Sequence, residues 1–217
     1  MIYTVGGVKG GSGKSTVATN LAIYLAQQGR DVLLIDADDQ ETAYDFTTLR
    51  EEREGQQASY AVMKQTGSSI RREVPKFKNR FQDIVIDTGG RDTDSQRAAL
   101  TISDVYLVPF VPRSFDIWTL ERVDKLIDEA GMVNETLKAF VFLNRADARG
   151  DENSDAAAML SESKQVVFID APLGYRKAFS TAAASGLGVI ELKVADDKAA
   201  VEFRQLMQKI SDELNRM

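Results

Sequence analysis

Short, wholly apolar runs alternate along the whole chain with longer stretches in which apolar side chains recur every three or four residues. That alternation predicts strands and helices in turn, and so an α/β fold whose mainly parallel, twisted sheet carries helices on both faces. The predicted strands are Ile2–Val5, Val32–Asp36, Asp83–Asp87, Val105–Pro109, Ala139–Leu143 and Val166–Ile169. Several are apolar at every position, the pattern of strands covered on both sides. Ser15–Gln28 places Val17, Leu21, Ala22 and Leu25 at helical spacing and stops before Gly29, a suitable C-cap. Phe115–Ala130 reads the same way, and near the end Val201, Leu206, Ile210 and Leu214 can share one helix face. Glu51–Gln57 and Asp147–Asp155 are polar enough to be loops. Neither is long enough to divide the chain, so residues 1–217 are expected to form one domain.

Composition narrows the chemistry. The 217 residues include neither cysteine nor histidine, which removes disulfides, thiolate nucleophiles, Fe–S ligation and the commonest general base. Catalysis must rest on carboxylates, lysines, hydroxyls, backbone amides or a hard metal ion. A net charge of −6 argues against a surface that coats nucleic acid everywhere, though not against a local basic patch. The densest positive stretch is Arg71–Arg80, read as a solvated helix face. No apolar run reaches the ~18 residues of a membrane span and no signal peptide is evident, so a soluble cytoplasmic protein is expected.

Directly after the first predicted strand comes Gly6-Gly7-Val8-Lys9-Gly10-Gly11-Ser12-Gly13-Lys14-Ser15-Thr16, and then the first long helix. A strand, a glycine-rich turn and a helix N-terminus together bind the phosphates of a nucleotide. The loop from Gly10 through Gly13 lets successive amides point inward, Lys14 reaches the terminal phosphates, and Ser15, followed by Thr16, can ligate magnesium. Val8 stands where a plain P-loop has its first glycine, and Lys9 adds a second lysine. Carboxylates end the next two strands, in Ile35-Asp36-Ala37-Asp38-Asp39-Gln40 and Ile86-Asp87-Thr88-Gly89-Gly90. The crevice at such strand ends is where open α/β sheets bind ligands.

Lys9 to Ser15, Lys-Gly-Gly-Ser-Gly-Lys-Ser, resembles the deviant Walker A motif of the ParA and MinD superfamily of P-loop ATPases. The resemblance continues through five motifs from Ile2 to about Leu192. It implies a P-loop NTPase fold, ATP and Mg²⁺ as cofactors, and slow basal hydrolysis. It implies further that Lys9 reaches into a partner subunit's nucleotide, so that ATP holds a homodimer together. Asp38 would orient or deprotonate the attacking water, and Asp36 would sit near the hydration shell of the metal. Asp87 would be the Walker B carboxylate, with Gly90 beside the γ-phosphate, and Asn144 would meet the adenine. Val108–Asp116 is similar to the family's strand with two prolines entering a helix. Two departures are Asp39 and Gly89, each in place of a family proline. Asn144-Arg145-Ala146-Asp147 is also one substitution from Asn-Lys-x-Asp, the guanine-reading signature, in which a carboxylate like that of Asp147 accepts from the base.

Members of the superfamily that need cysteines are excluded by composition. Two functional readings stay open. One is a small ParA-type partition or positioning ATPase, whose ATP dimer binds DNA without sequence preference and is released when a ParB-like or other cargo adaptor stimulates hydrolysis. The family's basic residues in the C-terminal third point to Arg176 and Lys177 as DNA contacts, and the location would be the nucleoid. With the P-loop so near Met1, the form without a helix-turn-helix domain is expected. The other reading is a MinD-type ATPase that binds membrane through a C-terminal amphipathic helix, but the charge of Ala200–Met217 is balanced, which suits a packed helix better and argues against stable membrane insertion.

Overall fold

The computed structural model describes every residue except 54–58, 91–92, 115–116, 148–150, 194–196 and 217. In chain order the elements are β1 (Ile2–Val5), α1 (Lys14–Gln27), β2 (Val32–Ala37), α2 (Thr42–Glu52), β3 (Ala61–Lys64), α3 (Ile70–Glu73), β4 (Asp83–Thr88), α4 (Asp94–Leu100) and β5 (Val105–Phe110). There follow α5 (Ile117–Gly131), β6 (Lys138–Ala146), α6 (Glu152–Glu162), β7 (Val167–Phe168), β8 (Leu173–Gly174), α7 (Lys177–Ala183) and α8 (Lys198–Arg216). The strands lie in the order β3-β2-β4-β1-β5-β6-β7, with β8 also on β6, and every pairing is parallel. The strand order reverses about β1, which puts the loop after β1 at the switch point where such sheets bind ligands.

All positions of β2, β4 and β5 are buried, the consequence of helices on both faces. Alternate side chains sort into three apolar clusters. Val5, Leu34, Val85, Leu107 and Phe142 pack with α1 and α8 on one face. Tyr106, Val108 and Val141 meet α5 and α6, while Ile35, Ile84 and Ile86 meet α3 and α4, on the other. Phe203 of α8 is fully buried and stands edge-on to Tyr24 of α1, with ring centroids 6.2 Å apart. Burying such a ring contributes about 2–3 kcal/mol, so α8 is fixed to the sheet by its own apolar stripe.

Several expectations are corrected. The strands β3 and β8 are not among those predicted: β3 is a sheet-edge strand whose central Val62 and Met63 are only half-buried, and β8 has two residues. Part of the polar Asp147–Asp155 stretch is helix, because α6 begins at Glu152 and its first turn carries Glu152 and Asp155, which favour a helix N-terminus. Similarly Glu51 and Glu52 end α2, and residues 54–57 of that expected loop lie outside the described residues. In α8 Leu206, Ile210 and partly buried Leu214 pack on the core as expected, joined by Phe203 and Met207, but Val201 is 39% exposed. Arg71–Arg80 is mostly short helix, with exposed Arg71, Arg72, Lys76, Lys78 and Arg80 around buried Val74.

Candidate nucleotide site

The loop between β1 and α1 closes back onto the sheet through contacts that demand its glycines. Gly13, the residue before α1, has φ 87°, and a Cβ there would lie 2.4 Å from Asn144 Nδ2. A Cβ on Gly90 would lie 2.7 Å from Gly10 Cα and 3.1 Å from Lys14 Nζ. Thus the loops after β1 and β4 approach backbone to backbone, and Gly90 tolerates no side chain there, whereas a Cβ on Gly10 would meet nothing within 4 Å. Between them and the loop after β2 is a cavity of about 760 Å³ lined by Gly10, Gly11, Gly13, Lys14, Ser15, Thr16, Asp38, Gly89 and Gly90. Ser12 is buried behind it, and its hydroxyl has no hydrogen-bond partner.

Lys14 is buried, and its ammonium donates to the Lys9 carbonyl at 3.1 Å. Burial lowers its pKa, against the pull of Asp87 and Asp38 in the opposite direction. An ammonium so placed is short of anionic partners, which the phosphates of a nucleotide supply. Lys9 differs: its side chain is exposed and is absent from the lining of this cavity. It lies instead in an adjoining cleft of about 610 Å³ with Arg97, Arg122 and Lys125.

Asp87 and Asp36 are register partners on β4 and β2, and the two carboxylates have different occupations. The Asp36 oxygens accept the backbone N–H groups of Asp38 (3.1 Å) and Tyr44 (2.8 Å). Its carboxylate therefore ties down the loop after β2 and caps α2, whose own N-cap residue, Glu41, makes no side-chain cap bond. Asp87 is fully buried and, among the described residues, neither oxygen has a hydrogen bond of good geometry; burial raises its pKa to about 8 against the lowering pull of the neighbouring Ser15 hydroxyl. An orphaned carboxylate facing the start of α1 beside Ser15 fits Mg²⁺, which keeps several waters and takes only one or two protein carboxylates together with phosphates. Among the described residues no group of three or more acidic side chains could hold a metal without the nucleotide.

Asp87 also carries a testable cost. A carboxyl whose pKa rises from 3.8 to about 8 on folding contributes stability that is present below pH 3.8 and lost as the pH climbs to about 8. Asp87→Asn is therefore expected to raise the melting temperature of the nucleotide-free protein by several degrees at about pH 8.5 and by much less at about pH 5.5. The same substitution is expected to abolish the response of nucleotide binding to Mg²⁺. Thermal melts at the two pH values, with and without Mg·ATP, check both; an Asp87→Asn protein less stable than the parent at the higher pH contradicts the orphaned carboxylate.

Gln96 is a support of the phosphate loop that the sequence did not reveal. Fully buried on α4, it accepts from Gly7 N (3.4 Å) and Thr88 Oγ1 (3.3 Å) and donates to Tyr106 Oη (3.2 Å). It ties α4, which follows the β4 loop, to the start of the phosphate loop. A glutamine on an amphipathic helix gives no signal in sequence, because its partners lie on three different strands or loops.

A second cavity of about 490 Å³ adjoins the first at Gly13, Thr16 and Arg145 and is lined also by Asn144, Tyr175, Arg176, Lys177 and Phe179. Buried Asn144 reaches it but donates from Nδ2 to the Ser12 carbonyl at 2.6 Å, so it buttresses the phosphate loop as well. Asp147 is not part of the lining: its Oδ2 accepts from Arg113 Nε at 2.5 Å. The carboxylate needed for the guanine-reading alternative is thereby turned away from the base side. Arg176, expected to be a free surface cation, instead holds Glu202 by both Nε (2.8 Å) and Nη2, and Glu202 also accepts from Gly174 N at 3.1 Å. Lys177 is exposed. Phe115 and Asp116 of the two-proline motif lie outside the described residues.

The chain is 26% identical over 207 residues, 95% of this chain and 94% of the other, to maintenance of carboxysome distribution protein A of Halothiobacillus neapolitanus. It is 28% identical over 182 residues, 82% of this chain and 80% of the other, to Protein ParA of Rhizobium radiobacter. The solved ATP complex of a variant of Cyanothece McdA shares its fold, with a TM-score of 0.80 and 16% identity over 97% of this chain and 96% of that one. Residues 3–189, which contain the phosphate loop, both strand-end carboxylates and Asn144, match the description CobQ/CobB/MinD/ParA nucleotide binding domain, and it is to that family of P-loop proteins that the chain belongs.

Proposed function

We propose that the chain is an ATPase of the ParA type that partitions or positions a cargo, and that it works as an ATP-bound homodimer. The observation that carries the proposal is the separation of the two lysines: Lys14 is buried in the phosphate cavity, whereas Lys9 is exposed outside it. Lys14, the loop amides and the α1 N-terminus hold the phosphates within one subunit. Ser15 and Asp87 would hold Mg²⁺, whose chemistry is to neutralise charge on the β- and γ-phosphates. Asp38, half-buried at the cavity wall with a carboxylate oxygen 3.3 Å from where a Gly89 Cβ would stand, orients the attacking water. Lys9 then serves the nucleotide of a second subunit, because two triphosphates at one interface repel unless cations reach them from both sides. The similarity to ParA and to carboxysome distribution proteins supports partition or positioning as the task.

The membrane-binding alternative needs an apolar helix face free to enter lipid. Here Phe203, Leu206, Met207 and Ile210 of α8 are spent in the core, and among the described residues no helix is long and apolar enough to cross a membrane. Non-specific DNA is the surface we infer for the dimer, with a ParB-like or other adaptor as activator. Two subunits of −6 make a body of −12, so binding must come from local cations and must depend on ATP. Because Arg176 is held by Glu202, Lys177 is the cation to test. Lys177→Glu is expected to weaken ATP-dependent DNA binding and to flatten its log–log salt dependence by about 0.9 for each phosphate no longer neutralised. Arg176→Glu is expected to lower the melting temperature, because it sets a second carboxylate beside Glu202. DNA co-sedimentation across a salt series tests this; an ATP-bound protein that ignores DNA at low salt and sediments with anionic vesicles overturns it.

A further inference from the structure

Helix α2 is fastened to the fold mainly by polar groups. Of its apolar side chains only Ala43 is buried; Tyr44 and Phe46 are half-buried and Leu49 is 41% exposed. The contacts that fix it are made by Thr47, whose hydroxyl meets Tyr60 Oη at 3.0 Å, and by Arg50. Only 3% exposed, Arg50 donates from Nη1 to the Gly186 carbonyl (2.9 Å) and from Nη1 and Nη2 to the two Glu191 oxygens (2.7 and 2.8 Å). Gly186 has φ 64°, and a Cβ there would lie 2.7 Å from Arg50 Cα, so α2 and the turn after α7 meet at backbone distance. A buried ion pair adds little net stability, since desolvation offsets the attraction, so its defined geometry calls for another explanation.

Both ends of this clamp lead to the phosphate cavity. The turn that receives Arg50 is held by α1: Val189 N donates to Asn20 Oδ1 (2.7 Å), and Asn20 Nδ2 donates to the carbonyl of Thr16 (2.7 Å), a residue of the cavity lining. Glu191 accepts as well from Gly188 N at 2.8 Å, which keeps the turn closed. At its other end α2 begins beside the loop that carries Asp38, whose carboxylate accepts from Gln40 N at 3.2 Å and so moves with that loop. Asp36 ties α2 to the same loop through Tyr44 N and Asp38 N. A helix is stiff: over the roughly 12 Å from Arg50 to Thr42 a tilt of about 5° moves the helix start by about 1 Å, a displacement that can slow catalysis by up to about 100-fold. We propose that Arg50 is a positioning residue for hydrolysis: by clamping α2 to the 186–191 turn it sets where Asp38 stands relative to phosphates held at the start of α1. This rests on the reading of Asp38 as the residue that orients the attacking water.

The test compares the parent protein, Arg50→Lys, and Arg50→Met combined with Glu191→Gln, each with and without Asp38→Ala, by calorimetry with Mg·ATP and by single-turnover phosphate release. Removing both charges together leaves no orphaned ion, and glutamine keeps an acceptor for Gly188 N, so the paired variant is expected to melt within a few degrees of the parent. It should bind Mg·ATP within about threefold of the parental affinity, because Lys14 and the phosphate loop are untouched, and hydrolyse it about tenfold more slowly. Arg50→Lys, which keeps the charge but cannot span Gly186 and both Glu191 oxygens, should show the same split with a loss of about threefold in rate. On the Asp38→Ala background neither change should slow hydrolysis further, since no carboxylate is left to misplace. Loss of ATP affinity in step with the rate, effects that multiply on the Asp38→Ala background, or parental turnover in both Arg50 variants would overturn the proposal. If Asp38→Ala alone hydrolyses ATP at the parental rate, it is the role of Asp38 itself that fails.

Discussion

Lys14→Ala is expected to weaken Mg·ATP binding by about 100-fold or more. Lys14 is a buried ammonium that donates to the Lys9 carbonyl. Its pKa is already lowered by burial, which means that the fold holds the charge at a cost that phosphate would offset. A charge-assisted hydrogen bond contributes about 1.5–3 kcal/mol, and an ammonium between two phosphates makes at least two. The loss is magnified because Lys14 is a near counter-charge of Asp87, so its removal leaves that carboxylate still harder to ionise and the metal less well held. Calorimetric titration with Mg·ATP decides it: affinity within a few-fold of the parent protein would mean that the phosphates sit elsewhere. Lys14→Arg should not rescue, since a planar guanidinium in place of a compact ammonium cannot enter a loop where Gly90 already approaches Gly10 backbone to backbone.

The parts of this site that could be read from sequence are those whose chemistry is contiguous. From Lys9 to Thr16 the spacing alone places glycines, lysine and hydroxyl on one loop, and apolar runs ending in aspartate place Asp36 and Asp87 at strand ends. What each carboxylate does there was not legible. That Asp36 caps α2 depends on where the chain turns after Gln40, and it turns so that Tyr44 N meets the carboxylate. The same holds for Gln96, whose partners are Gly7, Thr88 and Tyr106, and for Arg176, whose charge is engaged by Glu202 from a different helix. In the fold, the long apolar strands were legible because burial on both faces leaves an uninterrupted apolar run. The half-buried edge strand β3 and the two-residue β8 leave no such run.

The second large effect separates hydrolysis from assembly. Asp38→Ala is expected to lower ATP turnover by about 100- to 1,000-fold while ATP binding and the ATP-dependent dimer persist. Asp38 lines the phosphate cavity but, unlike Lys14 and the loop amides, offers no donor to phosphate, so its removal costs water activation and removes one negative charge from beside the triphosphate. The chain has neither histidine nor cysteine, Asp36 is engaged by backbone amides, and Asp87 is buried beside Ser15, so none of these can take over the water. Lys9→Ala is expected to behave in the opposite way. Its side chain contributes nothing to the lining of its own subunit's cavity, so ATP should still bind within a few-fold of the parent affinity, but the protein should remain monomeric because the second triphosphate is left without its cation. Light scattering with ATP, combined with phosphate release, distinguishes the two: a dimer that does not turn over for Asp38→Ala, and a monomer that binds ATP for Lys9→Ala. Two monomers, or two dimers, would show that the lysine and the aspartate do not divide the work between the subunits in this way.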